Sequence, residues 1–367
     1  MSERRVLQIV PQLPGTLDGV GDYALNLAKA LSAQHGLTTV FAVARETPVT
    51  ATDTFRVVSG LRESETASLG RECNHVILHY VNYGYQPRGI PFHVRRFAQE
   101  LRGQLRGRWL TTFHEIYAFG PPWKSEFWLR PFQVKIARDL IDLSDACFVS
   151  NVTIEKEIHG HDARKKVFLA PVMSNFGEPT LADFHAASPK RWAICGGNAS
   201  IARSVLSFER MHQMIPDAFR PTHLEIIGGR DDSSLRVAIE RVGRASPGLS
   251  CHYHPEVTVD EASALLRQCS FAWLDYFGSG KVWPGMVLKS GIFAACGAHG
   301  VVPVLSHQED AFAVDGDPFP GPWFITSSAV HFPAPDRLPA VREKIYFWYQ
   351  AHAAAARLAQ LYAEALT

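Results

Sequence analysis

Residues 6–23 read Val6-Leu7-Gln8-Ile9-Val10-Pro11-Gln12-Leu13-Pro14-Gly15-Thr16-Leu17-Asp18-Gly19-Val20-Gly21-Asp22-Tyr23. The run Val6–Val10 has the length and apolar character of a strand. A Pro- and Gly-rich loop follows, and beyond it Ala24, Leu27, Ala28 and Leu31 recur on one face of a helix. Gly19 and Gly21 let the backbone pass close to a ligand, the helix start presents its N–H groups, and Asp22 is placed to cap the helix. By itself this turn names no ligand. Gly19-Val20-Gly21 does not satisfy G-x-G-x-x-G, and Gly278-Ser279-Gly280-Lys281 lacks the first glycine and the Ser/Thr of a P-loop.

Outward from that unit, strand-like runs alternate with amphipathic helical stretches. The first half holds Val6–Val10, Thr38–Val43, His75–Tyr80, Trp109–Phe113, Ala146–Ser150 and Val167–Ala170, with helical patterns at Tyr23–Leu31 and Pro91–Arg102. Pro171–Ala187 interrupts the pattern with Pro, Gly, Asn and Ser and reads as a linker. The alternation then resumes with Trp192–Cys195, His223–Ile227, Leu249–Tyr253, Phe271–Tyr276, Val301–Leu305 and Trp323–Ile325, and Leu338–Leu366 is one long Ala-rich helical pattern. This predicts an α/β protein with two doubly wound parallel sheets. Open parallel sheets bind ligands at the C-terminal ends of their strands, so two such domains facing each other imply a cleft that joins two substrates.

The chain has 367 residues, 46% of them hydrophobic, which suits two α/β cores. The formal net charge of +1 argues against nucleic acid as a partner. The six cysteines form no C-x-x-C pair and sit mostly in apolar runs, as small core residues in a reducing compartment. Val6–Val10 is too short for a signal-peptide core, and no apolar stretch reaches the ~20 residues that span a bilayer. A cytoplasmic protein is expected, with peripheral membrane contact allowed.

Several short motifs then fall in a recognisable order. They are the Gly19-Val20-Gly21-Asp22-Tyr23 turn, His79 ending a strand, Thr112-Phe113-His114-Glu115 after the next strand, Val149-Ser150-Asn151 opening a helix, and Pro171-Val172-Met173-Ser174-Asn175 at the linker. In the second half come Cys195-Gly196-Gly197-Asn198-Ala199-Ser200-Ile201-Ala202-Arg203, Ile226-Ile227-Gly228-Gly229, and a closing helix after Trp348. Over nearly the whole chain this order resembles the retaining family-four glycosyltransferases of the GT-B fold. The resemblance implies two facing Rossmann-like domains with an interdomain cleft. Residues 1–178, completed by the helix 345–367, would take the acceptor, and residues 179–344 the nucleotide-sugar.

The resemblance also distributes roles. Arg203 stands at the family's phosphate-binding lysine position, and Asn198 replaces a family arginine. The family's two glutamates, eight residues apart, are matched by Lys281 and Lys289. A lysine cannot accept a hydrogen bond from a sugar hydroxyl, but it can bind a diphosphate as a point charge. The expected donor and phosphate side is therefore Gly19, Gly21, Gly197, Asn198, Arg203, Gly228, Lys281, Lys289 and Ser290. The acceptor side is Asp22, Tyr23, His79 and Trp123. His114, Glu115, Arg203 and Lys289 are the candidate catalytic groups: His114 to bond the sugar or acceptor, Glu115 as a base, and the cations to stabilise the leaving diphosphate. His299 is either a donor contact or a helix-end cap. The aromatic run Tyr117, Phe119, Trp123, Phe127, Trp128 and Phe132 is either a packed lid or a lip for sugar or membrane.

No cofactor beyond the co-substrate is implied. His252-Tyr253-His254 and His159-Gly160-His161 lack the further ligands of a metal site. The reading is a hexosyl-transferring, metal-independent, retaining enzyme that moves a sugar to a saccharide or lipid-linked acceptor, as in exopolysaccharide synthesis. The alternatives are another GT-B enzyme, such as a nucleotide-sugar epimerase or a sugar phosphorylase, and a non-catalytic binding or scaffold protein that has lost the signature glutamates.

Overall fold

A computed structural model describes residues 4–13, 19–45, 55–118, 120, 122–181, 187–276, 282–283 and 285–367. Two compact units divide the chain: Met1–Pro171 with Ala355–Thr367, and Val172–Ala354.

The first unit runs β1 (Arg5–Val10), α1 (Gly19–His35), β2 (Thr38–Val43), β3 (Arg56–Ser59), α2 (Thr66–Glu72), β4 (His75–Tyr80), α3 (Asn82–Tyr85), α4 (Phe92–Gln104), β5 (Trp109–Phe113), α5 (Ser125–Leu143), β6 (Ala146–Val149), α6 (Val152–His161) and β7 (Val167–Leu169). Its seven strands are all parallel, in the order β3-β2-β1-β4-β5-β6-β7. The order reverses between β1 and β4, where an open sheet leaves a crevice at the strand ends. Leu7, Ile9, Val76, Leu78, Trp109, Phe113 and Val149 fill one face against α4 and α5 residues such as Phe97 and Ile136. Burial on both faces is why these strands read as unbroken apolar runs. Asn151 caps α6, its side chain accepting from Thr153 N and Ile154 N.

The second unit runs β8 (Ser188–Cys195), α7 (Asn198–Met211), β9 (His223–Ile227), α8 (Ser233–Ala245), β10 (Ser250–His254), α9 (Val259–Arg267), β11 (Cys269–Leu274), α10 (Gly291–Ala298), β12 (Val302–Leu305), the ribbon β13 (Ala313–Val314) and β14 (Asp317–Pro318), β15 (Trp323–Ile325), β16 (Val330–His331) and α11 (Leu338–His352). The sheet order is β10-β9-β8-β11-β12-β15-β16, and only β15–β16 is antiparallel. The same reversal therefore occurs between β8 and β11. Asp232 caps α8, and Thr258 with Glu261 forms a capping box on α9. Gly297 admits α11 beside α10, since a Cβ there would lie 2.9 Å from the Tyr349 ring.

The Ala-rich pattern Leu338–Leu366 is not one helix. It breaks at Ala353–Ala354 into α11 and α12 (Ala355–Leu366), and only α12 belongs to the first unit. Asp22 also differs from expectation. Helix α1 already begins at Gly19, so Asp22 lies in its first turn and not at the cap.

Helix α12 covers the sheet face opposite α4 and α5. Tyr362 is fully buried there, stacked 3.8 Å from the Phe148 ring, with its hydroxyl 2.6 Å from Thr112 Oγ1 and 3.2 Å from Tyr23 OH. Removing the hydroxyl leaves two buried groups short of a partner. Tyr362→Phe is expected to lower the unfolding free energy by about 1–3 kcal/mol, read as a fall in the urea midpoint.

His299, at the end of α10, is fully buried. Its Nδ1 lies 2.8 Å from Ala295 O and its Nε2 2.9 Å from Ser263 Oγ, so the helix-end reading holds. Burial, aided by Arg267 nearby, pushes the imidazole down to about 4. Below the ordinary histidine range the unfolded chain takes up a proton that the folded chain refuses. Stability is therefore full above pH ~6.5 and falls as pH drops toward ~4, by up to about 3 kcal/mol from this group. A urea series across that window is expected to show the slope, and His299→Gln to flatten it.

Candidate functional site

The first cluster sits at the switch point of the first sheet. Alternation along β1, β4 and β5 puts Gln8, His79 and Thr112 on the α1–α12 face. Gln8 and His79 are fully buried, and His79 Nε2 lies 2.8 Å from Gln8 Oε1. His79 Nδ1 lies 3.2 Å from His114 Nε2, and the two imidazoles stack at 5.5 Å. Tyr23, from α1, sets its ring edge-on to both, at 5.8 and 5.1 Å. Burial pushes His114 down to about 4. Burial first, and His114 second, holds His79 well below the usual histidine range. Both rings are neutral near pH 7.

Of the residues expected on this side, the fold brings together Tyr23, His79 and His114. Glu115 follows His114 but is exposed. Gly21 is buried in the first turn of α1, while Gly19 is exposed, with open space where a Cβ would stand. Trp123 is 83% exposed, and Phe127, Trp128 and Phe132, along the first turns of α5, are exposed too. Gln8 and Tyr362 were not anticipated. Gln8 had a signal, a polar residue in the middle of an apolar strand. Tyr362 had none beyond its place in a helical pattern.

The second cluster lies at the switch point of the second sheet. Gly197, Asn198, Ala199, Ser200, Arg203, Tyr276 and Lys289 line a pocket of about 620 Å³ at the start of α7. Arg203 is anchored by β11's outgoing chain: Nη2 donates to Tyr276 O at 2.9 Å and Nε to Asp275 O at 3.4 Å. A guanidinium has five donors, so this tether leaves capacity for an anion. Lys289 arrives from a different segment, the 3-10 turn Met286–Lys289. That turn begins at Gly285 in the left-handed region, φ 75°, where Gly285 N donates to the buried Glu309 Oε1 at 3.0 Å. His307 Nε2 lies 3.0 Å from the other Glu309 oxygen.

The remaining residues predicted for this side have structural bonds. Asn198 Oδ1 accepts from Arg230 N at 2.7 Å and Nδ2 donates to Arg230 O at 3.1 Å, so its amide locks the β9–α8 turn to the start of α7. Gly228, φ 99°, must be glycine, because a Cβ there would stand 2.8 Å from Gly196 O. Ser290 is buried and caps α10, accepting from Phe293 N at 3.3 Å. Lys281 lies outside the described residues. Among the described residues no group of His, Cys, Asp and Glu could hold a metal ion, and no helix is long and apolar enough to cross a membrane.

The second cluster is thus an open, cationic pocket at a helix N-terminus, chemistry suited to a phosphate or diphosphate. The first is a neutral imidazole edge suited to hydroxyl groups.

No protein-family model matches the sequence, and no curated protein matches it. The fold is matched by solved structures. An α-glucosyltransferase in complex with UDP and a 13-mer DNA containing an A:G mismatch aligns over 100% of both chains, with a TM-score of 0.60 and 12% identity. The α,α-trehalose 6-phosphate synthase of Burkholderia multivorans aligns over 100% of this chain and 98% of its own, with a TM-score of 0.59 and 13% identity. The lipopolysaccharide outer core galactosyltransferase WaaB aligns over 98% and 99%, with a TM-score of 0.52 and 12% identity. The argument from net charge against nucleic acid does not stand. This fold, matched end to end, carries DNA in the α-glucosyltransferase complexes, one of them with UDP-glucose and DNA containing an abasic site. A near-neutral total charge says nothing about a local face. Over its full length, the chain has the fold of the GT-B glycosyltransferases.

Proposed function

We propose that this chain is a glycosyltransferase that takes a hexose from a nucleoside-diphosphate sugar. The observation that carries the reading is the pairing of Arg203 and Lys289, from separate segments, around one open pocket at the start of α7. As the bond from the anomeric carbon to the diphosphate breaks, negative charge grows on the leaving oxygen. Two fixed cations and the N-terminal dipole of α7 stabilise that charge, which is the task a metal performs in other transferases. The transfer is therefore proposed to be metal-independent, and retention of configuration rests on the family resemblance. The carbonyl tether on Arg203 supports the reading further, because a pre-set guanidinium loses little freedom when the anion arrives.

The first unit contributes the hydroxyl-recognising edge at Tyr23, His79 and His114. His114 is a hydrogen-bonding group there, not a strong base, since a neutral imidazole with so low a proton affinity gives little driving force for proton abstraction. Glu115, exposed beside it, is the carboxylate available for that step. The lysines at both expected glutamate positions favour one second reading, a protein that binds a nucleotide and transfers nothing.

Thermal shift against UDP, GDP, ADP, CMP and dTDP tests the donor site. One nucleotide is expected to raise the melting temperature, with ~2.7 kcal/mol of stabilisation at about 100 times its dissociation constant. Arg203→Ala is expected to abolish the shift and Lys289→Ala to weaken it at least tenfold in affinity. If no nucleotide stabilises the wild type, the proposal fails.

Product analysis with the matching nucleotide-sugar separates transfer from binding. The acceptor panel should contain monosaccharides, lipid-linked saccharide and duplex DNA, with and without EDTA. Transfer undiminished by EDTA is the expected result. Binding with no transfer to any acceptor, and no hydrolysis of the donor, would establish the non-catalytic reading instead.

A further inference from the structure

The row Gln8–His79–His114 has a direction, and the direction decides what His114 offers a ligand. We propose that Gln8 and His79 are positioning residues that hold His114 in the tautomer protonated on Nε2, so that His114 Nδ1 is kept as a hydrogen-bond acceptor.

The case starts at Gln8, a fully buried amide in β1 whose polar atoms must be bonded. Its Nε2 donates to Thr39 Oγ1 at 3.4 Å, on the neighbouring strand β2. That leaves Oε1 toward His79, 2.8 Å from Nε2. An amide oxygen can only accept, so His79 Nε2 carries the proton. A neutral imidazole has one N–H, which makes His79 Nδ1 an acceptor. His114 Nε2, 3.2 Å from it, must then donate. With its single proton on Nε2, His114 has a lone pair on Nδ1. Among the described residues no hydrogen bond to that atom is formed.

Neutrality of both rings is required, and the surroundings impose it. His79 is fully buried and His114 partly so, and a charge on either ring would face the other ring. The neighbours that touch the pair are phenol and amide: Tyr23, edge-on to both rings, and Gln8. Turning the Gln8 amide over would reverse every bond in the row and make His114 Nδ1 a donor. One amide on β1 therefore sets the polarity of a ring two strands away. An acceptor at His114 takes a hydrogen bond from a hydroxyl and is mismatched to a phosphate oxygen, which also only accepts. This deepens the proposed function, because it assigns the imidazole edge to a hydroxyl of sugar or acceptor and leaves the phosphates to the Arg203 pocket.

The test is long-range nitrogen–proton NMR on the full chain with nitrogen-labelled histidine near pH 7. His114 is assigned by the signal lost in His114→Gln, out of the 16 histidines. In the wild type, His114 is expected to show a pyrrole-type Nε2 and a pyridine-type Nδ1. Gln8→Met, which removes the accepting oxygen, is expected to lose that pattern to a mixture of tautomers. A wild-type His114 protonated on Nδ1, or charged, overturns the proposal, as does an unchanged tautomer in folded Gln8→Met. Should Gln8→Met fail to fold, the wild-type spectrum alone decides the polarity. The result is independent of nucleotide binding, so failure of the donor-site screen and failure of this inference are told apart.

Discussion

In a parallel sheet covered on both faces a polar side chain without a partner is costly, and this constraint shapes the polar groups of both sheets. In the first sheet Gln8, His79 and Thr112 stand on a covered face: Gln8 bonds Thr39 and His79, His79 bonds His114, and Thr112 bonds the Tyr362 phenol, which also meets that of Tyr23. In the second sheet Glu225, on β9, is held by His254 Nε2 at 2.8 Å and Arg191 Nε at 3.3 Å. Each unmatched polar group in such a place would cost about 1–3 kcal/mol, a sizeable share of a domain's stability. Polar groups persist there because neighbouring strands, and α12 at Thr112, bring polar groups of their own. The same rule fixes orientation: a side chain bonded on two sides cannot swing, and the atom left over points to one chemistry.

The second site rests on a different constraint, the closeness of two loops. Gly196 and Gly228 allow the β8–α7 and β9–α8 turns to touch backbone to backbone, and a side chain at Gly229 would meet Asn198 Oδ1 at 2.6 Å. Asn198 then ties the turns together. The start of α7 is thereby set as the floor of the pocket; Arg203 stands on α7 itself, tethered to β11's outgoing chain, and Lys289 comes from the turn after Gly285. Arg203 is held in place there by the carbonyls of Asp275 and Tyr276.

The strands were the most legible part of the sequence. Thr38–Val43, His75–Tyr80, Trp109–Phe113, His223–Ile227 and Trp323–Ile325 form strands with those bounds, because a strand buried on both faces is mostly apolar. Arg56–Ser59 escaped notice as a short, partly exposed edge strand. The break at Ala353–Ala354 carries no Gly or Pro, so its cause is packing of α11 within the second unit and not local propensity. At the sites, the order of motifs located Arg203, Lys289, His79 and His114. It could not show that Asn198 and Ser290 bond their own backbone neighbourhoods, or that Gln8 completes the histidine row. Those facts depend on which strands lie side by side.

The buried contact of Tyr362 with Tyr23 and Thr112 has a consequence for biosynthesis. These partners are separated by 339 and 250 positions along the chain. A ribosome releases the first seven strands long before α12, so for most of translation the nascent first unit lacks the helix that seals one face of its sheet. In that interval the hydroxyls of Tyr23 and Thr112 and the ring of Phe148 await a partner still to be made. The first unit matures last, by docking a late segment onto an early one, and any fusion or truncation near α12 acts on a fold whose other strands were laid down at the beginning.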